Sequence, residues 1–181
     1  SAEFNTAAEE LKSFAKNLTT EQRQIANFWS DGIGTYSPPG HWNRIACEHI
    51  VSSKYNPLRT ARILAYLNMA IMDGGISCWD TKYYYHYPRP SQVIPGFKTI
   101  LGIPNFPSYS SGHSVFSGAA AEVLSHFFPN SRNEFEAIAK EASLSRVYGG
   151  IHFRFDSEIG VVQGKNIGSY SVNVAKTDGV E

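Results

Sequence analysis

Three short segments of the chain hold side chains that could bind and transform an anion. Each segment lies where a predicted helix meets a loop, and between them they contain cations, histidines and a carboxylate. The segments are KYYYHYPRP at 82–90, SSGHS at 110–114 and SRVYGGIHFRFD at 145–156. Cations brought together without neighbouring carboxylates repel one another unless an anion neutralises them. The composition of these segments therefore predicts a local anion site.

The cations that would share this anion are Lys82, Arg89 and Arg146. A helix that begins at Ser111 and Gly112 would add unpaired backbone N–H groups and a partial positive charge to the same site. Because Gly112 has no side chain, its backbone could approach a bound oxyanion closely.

Proton transfer could come from two histidines. His113 and His152 can both gain or lose a proton near neutral pH. Asp156 follows His152 by four residues, one helical turn, and could accept a hydrogen bond from one ring nitrogen while leaving the other free. The set suits a tetrahedral oxyanion that is attacked by one nitrogen and protonated by another group.

Each segment by itself also has a simpler interpretation. Isolated cations are usually solvated, and Arg146 could merely complement the C terminus of a helix. Ser111 could be an ordinary N-cap, and His152 with Asp156 could be a hydrogen-bonded pair on a helix surface. The occurrence of all three segments in one chain favours a shared site.

Helical periodicity extends along nearly the whole chain, and strand signals are almost absent. The prediction is an all-α helical bundle that forms a single domain over 1–181, with the catalytic motifs in 82–156. The predicted helices are 6–18, 19–31, 41–53, 57–84, 111–128, 133–146 and 155–175.

Several loops and glycine pairs are predicted to interrupt or modify these helices. The SPPG stretch at 37–40 is predicted to interrupt the helices, and the proline-rich 87–109 to form a long ordered loop. A second loop is predicted at 147–154. Gly74–Gly75 predicts a kink in the helix or close packing against a neighbouring helix. Gly164 and Gly168, four apart, predict close contact between helices.

Composition excludes several classes of partner. Positive and negative side chains balance at sixteen each, so no global field favours nucleic acid or an anionic membrane. The longest apolar run, 63–72, is too short to span a bilayer, so no transmembrane segment is expected. The first ten residues lack the features of a signal peptide. Cys47 and Cys78 could form one disulfide or stay free.

The motifs Lys-x6-Arg-Pro, Ser-Gly-His and Ser-Arg-x5-His-x3-Asp occur in that order between Lys82 and Asp156. This arrangement resembles the signature of the type 2 phosphatidic acid phosphatase superfamily. That superfamily joins acid phosphatases, lipid phosphatases and vanadium-dependent haloperoxidases on one helical-bundle core. The resemblance implies that an oxyanion, phosphate or vanadate, is bound by Lys82, Arg89, Ser111, the amide of Gly112 and Arg146.

The resemblance also assigns the catalytic roles. His113 would be the general acid and base, and His152 the nucleophile of a phosphatase or the axial ligand to vanadium in a haloperoxidase. Asp156 would orient His152, and in a haloperoxidase Lys82 would polarise the peroxide. One departure is Ser110, which stands where the superfamily usually has proline and could loosen the start of the helix.

The flanking residues favour the haloperoxidase branch. HFRFD at 152–156 and FPSYSSGHSVFSGAA at 106–120 resemble that branch, and Phe106 lies seven residues before His113. Chloride-oxidising members have an aromatic residue there, and bromide-oxidising members a second histidine. Against this, the chain is far shorter than characterised haloperoxidases, which carry a second bundle, and in length it resembles bacterial acid phosphatases. Arg154 has no role in the superfamily pattern and is interpreted as a surface salt-bridge partner.

We therefore expect a vanadium-dependent haloperoxidase-like enzyme that uses vanadate, hydrogen peroxide and halide. A soluble acid phosphatase that hydrolyses phosphate monoesters through a phosphohistidine at His152, without a cofactor, is the first alternative. A non-catalytic phosphate-binding helical module is the second. The resemblance also implies export to the periplasm or the exterior.

Overall fold

The computed structural model describes residues 1–180, and its regular elements are helices. No strand occurs in this part of the chain, which confirms the predicted all-α bundle. The helices are α1 Ala2–Asn17, α2 Thr20–Phe28, α3 Ser37–Ser52, α4 Pro57–Tyr85, α5 Pro90–Val93, α6 Gly112–Phe127, α7 Arg132–Tyr148 and α8 Arg154–Ala175, with a 3-10 turn at Pro129–Ser131 between α6 and α7.

Helix α6 is the centre of the bundle and packs against α4, α7 and α8. Most of its residues are buried, and many of them are Gly, Ala or Ser. The predicted close contact at the glycines of α8 is confirmed, because a Cβ on Gly168 would lie 2.8 Å from the carbonyl oxygen of Ala119. Small residues therefore let the backbones of α6 and α8 approach closely.

Helix α4 continues through Gly74–Gly75 as one helix. A Cβ on Gly74 would lie 3.4 Å from Val115, and one on Gly75 would lie 3.2 Å from Phe116. The second interpretation of this glycine pair, close packing against a neighbouring helix, is the one that the structure supports.

The SPPG stretch was predicted as a break, and this was wrong. Ser37 begins α3, and both prolines lie in its first turn. Prolines are tolerated there because the N–H groups of the first turn have no partner within the helix. The break comes earlier, at 29–36, where Asp31 and Gly34 have positive φ.

The proline-rich loop also contains an unpredicted helical turn, α5, which starts at Pro90 directly after Arg89. A small apolar cluster lies beside it and under α1, and it includes Leu11, Ile94 and Phe153. This cluster supports the loop that carries His152. Within residues 1–180, no helix combines the length and the apolar character needed to cross a membrane.

Candidate active site

His152 is held by the tight connection between α7 and α8. Gly150 has a φ of 76°, a conformation that glycine adopts without strain. The carbonyl oxygen of Gly149 accepts hydrogen bonds from the N–H groups of Ile100 (3.0 Å) and Leu101 (3.3 Å). The connection is therefore tied to the proline-rich loop, which brings His152 into the interior with only 4% of its surface exposed.

Asp156, in the first turn of α8, binds one nitrogen of this ring. Its Oδ2 lies 3.1 Å from Nδ1 of His152 and accepts hydrogen bonds from the N–H of Phe153 (3.0 Å) and the hydroxyl of Ser108 (2.5 Å). Burial raises the pKa of Asp156 to about 6, and the hydrogen bonds from Ser108 and Phe153 act against that rise. At neutral pH the carboxylate is ionised, so Nδ1 of His152 is the donor.

Arg89 contacts the other nitrogen. Its Nη1 lies 2.9 Å from Nε2 of His152 and donates to the carbonyl oxygen of Ile151 at 2.7 Å. Its Nε donates to the carbonyl oxygen of Phe106 at 3.1 Å. A guanidinium group can only donate, so Nε2 carries no proton and accepts from Arg89 with its electron pair. Burial, together with the nearby Arg89, holds the pKa of His152 well below its ordinary value. The ring is therefore neutral, with its proton on Nδ1.

Lys82 projects from α4 into the same region and is fully buried. Its Nζ donates to the carbonyl oxygens of Pro107 and Ser108, both at 2.8 Å. Burial lowers its pKa to about 8. The ring of Phe106 lies 5.2 Å from Lys82 Nζ and 5.3 Å from Arg89 Cζ, within the range of cation–π attraction.

Arg146 and His113 complete the set from α7 and α6. Arg146 Nη1 donates to the carbonyl oxygen of Trp29 at 2.5 Å, and burial lowers the pKa of Arg146 to about 10. His113 lies in the first turn of α6. Burial first, and then the charge of Arg146, lower the pKa of His113 to about 4.

Helix α6 begins beside these groups. Ser111 is its N-cap residue, but the Ser111 hydroxyl makes no capping hydrogen bond. The N–H of Ser111 donates to the carbonyl oxygen of Asp156 at 3.0 Å, which ties the helix start to α8. Gly112 follows as the first helical residue, with the open backbone donor expected at a helix N terminus.

Five of the predicted site residues each have one buried polar atom without a hydrogen-bond partner. These atoms are Arg89 Nη2, Ser111 Oγ, Arg146 Nε, His113 Nε2 and Asp156 Oδ1. Unpaired polar atoms in a protein interior are costly and are usually matched by a ligand or water. Arg146, His113, His152 and Gly112 border a cavity of about 650 Å³. Within residues 1–180, no group of His, Cys, Asp and Glu is arranged to hold a metal ion. The donors among these atoms, on Arg89, Arg146 and Ser111, fit a tetrahedral oxyanion.

The structure thus brings all eight sequence-predicted site residues together around the buried ring of His152 and the start of α6. Arg154 lies apart from the site and forms a salt bridge with Glu10 (2.5 Å), as expected. Both cysteines are free, Cys47 at the surface and Cys78 in the interior.

Three neighbours of the site were not predicted: Ser108, Asp31 and His41. Ser108 bonds to Asp156, and Asp31 lies beside His113 and His41. None belongs to a spaced motif. Only the short polar stretch around Asp31, next to glycines, signals a turn, and nothing in it indicates contact with a histidine 82 residues further along the chain.

Ser110 was expected to loosen the start of α6. Its hydroxyl instead donates to Oε1 of Gln163 at 2.5 Å. Nε2 of Gln163 donates to Ser77 (2.8 Å) and Thr81 (3.0 Å) on α4. Ser110 is therefore anchored to two helices by side-chain hydrogen bonds.

Comparison with known proteins identifies a superfamily and several similar proteins. The sequence profile of the PAP2 superfamily matches residues 62–178. The vanadium chloroperoxidase of Curvularia inaequalis is 27% identical over 164 aligned residues, with 69% of this chain and 26% of that protein covered. A bacterial vanadium-dependent iodoperoxidase superposes with a TM-score of 0.85 at 32% identity, covering 94% of this chain and 48% of that one.

Aquifex aeolicus LpxE superposes with a TM-score of 0.72 at 18% identity, covering 91% of this chain and 93% of that one. At this identity the similarity is one of fold. The chain thus spans about a quarter of the curated chloroperoxidase and about half of the iodoperoxidase.

Proposed function

The chain belongs to the PAP2 superfamily, and we propose that it is a vanadium-dependent haloperoxidase-like enzyme that oxidises halide with hydrogen peroxide. The observation that carries the proposal is the unprotonated Nε2 of the neutral, buried His152, which lies among the cations Arg89, Lys82 and Arg146. The likeness to an iodoperoxidase at 32% identity favours a peroxidase over a phosphatase.

In this proposal the oxyanion is vanadate. Lys82, Arg89, Arg146, Ser111 and the amide of Gly112 would bind its oxygens, and Nε2 of His152 would be its ligand. When bound, vanadate activates hydrogen peroxide for halide oxidation without changing its own oxidation state. Because Arg89 Nη1 contacts the electron pair of Nε2 in the free protein, this contact must be released on binding.

The remaining roles follow from charge and burial. Asp156 holds the proton of His152 on Nδ1 and so keeps Nε2 available. Lys82 supplies a positive charge that would polarise bound peroxide. His113, which borders the cavity, would accept a proton from the peroxide and return it to the departing water.

A phosphatase is the second candidate, and the same Nε2 electron pair supports it. Nε2 of His152 would attack the phosphorus of a phosphate monoester, so that a P–N bond forms and the P–O ester bond breaks. His113 would protonate the leaving oxygen, and water would then cleave the phosphohistidine. Because the pKa of His113 is about 4 in the free protein, this reaction would favour acid pH unless the bound dianion raises that pKa.

Two assays on the same preparation separate these functions. The first measures hydrolysis of p-nitrophenyl phosphate between pH 4 and 7, with and without vanadate. The second measures bromination or iodination by hydrogen peroxide, with and without vanadate. We expect halogenation that requires vanadate. Hydrolysis that vanadate inhibits, without halogenation, would establish the phosphatase instead. Tight phosphate binding with neither activity would indicate a non-catalytic module.

A further inference from the structure

Ser108 is a fully buried serine of the proline-rich loop, and each of its polar groups bonds to a different part of the site. Its N–H donates to the carbonyl oxygen of Tyr87 at 2.8 Å, and its own carbonyl oxygen accepts from Nζ of Lys82 at 2.8 Å. Its hydroxyl donates to Oδ2 of Asp156 at 2.5 Å. One residue therefore links the segment before Arg89 with helices α4 and α8. No motif and no role proposed above includes it.

The Ser108 hydroxyl also lies beside the ring of His152. The ring proton is on Nδ1, because Nε2 accepts from Arg89. Nδ1 has two oxygens within reach, Oδ2 of Asp156 at 3.1 Å and Oγ of Ser108 at 3.3 Å. A hydroxyl that donates its hydrogen still has lone pairs, so Ser108 can accept from Nδ1 while it donates to Asp156. The Nδ1 proton is thus held between two acceptors.

The Asp156 carboxylate is fixed through one of its oxygens. Oδ2 accepts from the N–H of Phe153, from the Ser108 hydroxyl and from Nδ1 of His152, whereas the buried Oδ1 has no partner. Phe153 and His152 belong to the same turn as Asp156. Within the described part of the chain, Ser108 is therefore the donor that reaches this carboxylate from outside that turn. Because the torsion that rotates a carboxylate is broad, this contact decides its orientation.

We propose that Ser108 is a positioning residue for His152. Its hydroxyl fixes the Asp156 carboxylate and is the second acceptor for the Nδ1 proton, so that Nε2 stays where it would bind the oxyanion. Because the Ser108 carbonyl oxygen also binds Lys82, the same residue sets the ammonium group relative to the ring. The proposal rests on the role of Nε2, which the haloperoxidase and the phosphatase share.

The first test needs neither ligand nor turnover. In the ligand-free protein, ¹H–¹⁵N spectra of the His152 ring measure how fast the Nδ1 proton exchanges with water. We expect Ser108→Ala to speed this exchange about 10-fold more than that of the buried backbone amide of Val123 in α6, the size of one lost hydrogen bond. Equal acceleration of both protons would indicate a general loss of stability and overturn the proposal, as would an unchanged ring proton.

The second test measures binding of orthovanadate by calorimetry and turnover in whichever assay is active. We expect Ser108→Ala to lower affinity, turnover or both by about 10- to 100-fold, as for other residues that orient a ligating histidine. Wild-type affinity together with wild-type turnover would contradict the proposal. If the wild-type protein binds no vanadate, the proposed function fails, and the exchange of the Nδ1 proton still tests this inference by itself.

A double-mutant cycle shows through which group Ser108 acts. In Asp156→Ala the hydroxyl has no carboxylate to hold, so adding Ser108→Ala should change orthovanadate affinity by less than about twofold. If the losses of the two single variants add in the double variant, Ser108 acts independently of Asp156 and the proposal is wrong.

Two further variants complete the design. Ser125→Ala removes another buried serine hydroxyl, one of α6 that has no hydrogen-bond partner, and should leave the ring-proton exchange and the affinity unchanged. If Ser108→Ala does not fold, Ser108→Cys replaces it in all three measurements, because a thiol keeps the shape of the side chain but is a weak donor and acceptor. The same outcomes then support or contradict the proposal.

Discussion

Nη1 of Arg89 lies 2.9 Å from Nε2 of His152, so a cation contacts the electron pair that Nε2 would donate to vanadium or phosphorus. The same guanidinium donates to the carbonyl oxygen of Ile151, directly before His152 in the chain. The ring is thus fixed on both nitrogens, by Asp156 on one side and by Arg89 on the other. This pairing keeps the imidazole neutral and oriented before a ligand binds.

Replacing His152 by alanine should abolish turnover in either assay, because no other nitrogen in the site is held between Asp156 and Arg89. The fold should persist, since α7 and α8 keep their packing. Activity and thermal unfolding are the measurements. His86→Asn is the matched control, an exposed histidine with φ of 47°, which asparagine tolerates. Full turnover in His152→Ala would refute the assigned role.

Lys82→Met should weaken vanadate or phosphate binding at pH 7 by about 10- to 100-fold, the usual size of a lost charge-assisted hydrogen bond. Because the pKa of Lys82 is about 8, the wild-type protein should lose affinity as the pH rises through 8 and the ammonium group loses its proton. The variant should lack this loss.

Calorimetric titration from pH 6.5 to 9.5 measures the effect of Lys82. The titration of the anion itself is common to both proteins, so the difference between them isolates the lysine. Lys98→Met, at an exposed position, should behave like the wild type. Parallel pH curves for Lys82→Met and the wild type would show that Lys82 does not bind the anion.

His113 should make the protein less stable in acid. Its pKa is about 4 in the folded state, against 6.5 for the ordinary side chain. Between these values the unfolded chain binds a proton that the folded protein does not, so the free energy of unfolding decreases as the pH falls from 6.5 to 4. At 1.36 kcal/mol per pKa unit the contribution is about 3 kcal/mol.

His113→Gln should therefore flatten the decline in stability over this pH range. Urea unfolding at several pH values, compared with the wild type, measures the slope. The contribution of Asp156, whose raised pKa acts in the opposite direction, is common to both proteins and cancels in the difference. An equal slope in both proteins would mean that folding does not lower the pKa of His113.

Gly160→Ala should separate α8 from the start of α6. A Cβ there would lie 2.7 Å from Cβ of Ser114 and 2.9 Å from the carbonyl oxygen of Ser111. We expect a loss of about 1–3 kcal/mol in stability, as for other overpacked interiors, and weaker anion binding. Thermal unfolding and vanadate titration measure both effects. At Gly102 an added Cβ meets open space, so Gly102→Ala should keep wild-type stability; equal behaviour of the two variants would contradict the prediction.

Local patterns predicted much of this protein because their causes are local. Helical periodicity gave the all-α class, and the four-residue spacing of His152 and Asp156 placed both around one turn, as observed. The error at 37–40 arose because the same local residues fit two different structures. Pro38 and Pro39 were interpreted as a break, although prolines also suit the first turn of a helix.

The sequence by itself determined the helical class, the two histidines and the cations that could serve an oxyanion. Tertiary structure alone decided which distant groups complete the site. Asp31 meets His113 and His41, Ser108 meets Asp156, and Arg146 meets a carbonyl oxygen 117 residues away. Such contacts leave no regular spacing of residues in the sequence. They depend on how helices and loops pack against one another rather than on the geometry of a single helical turn.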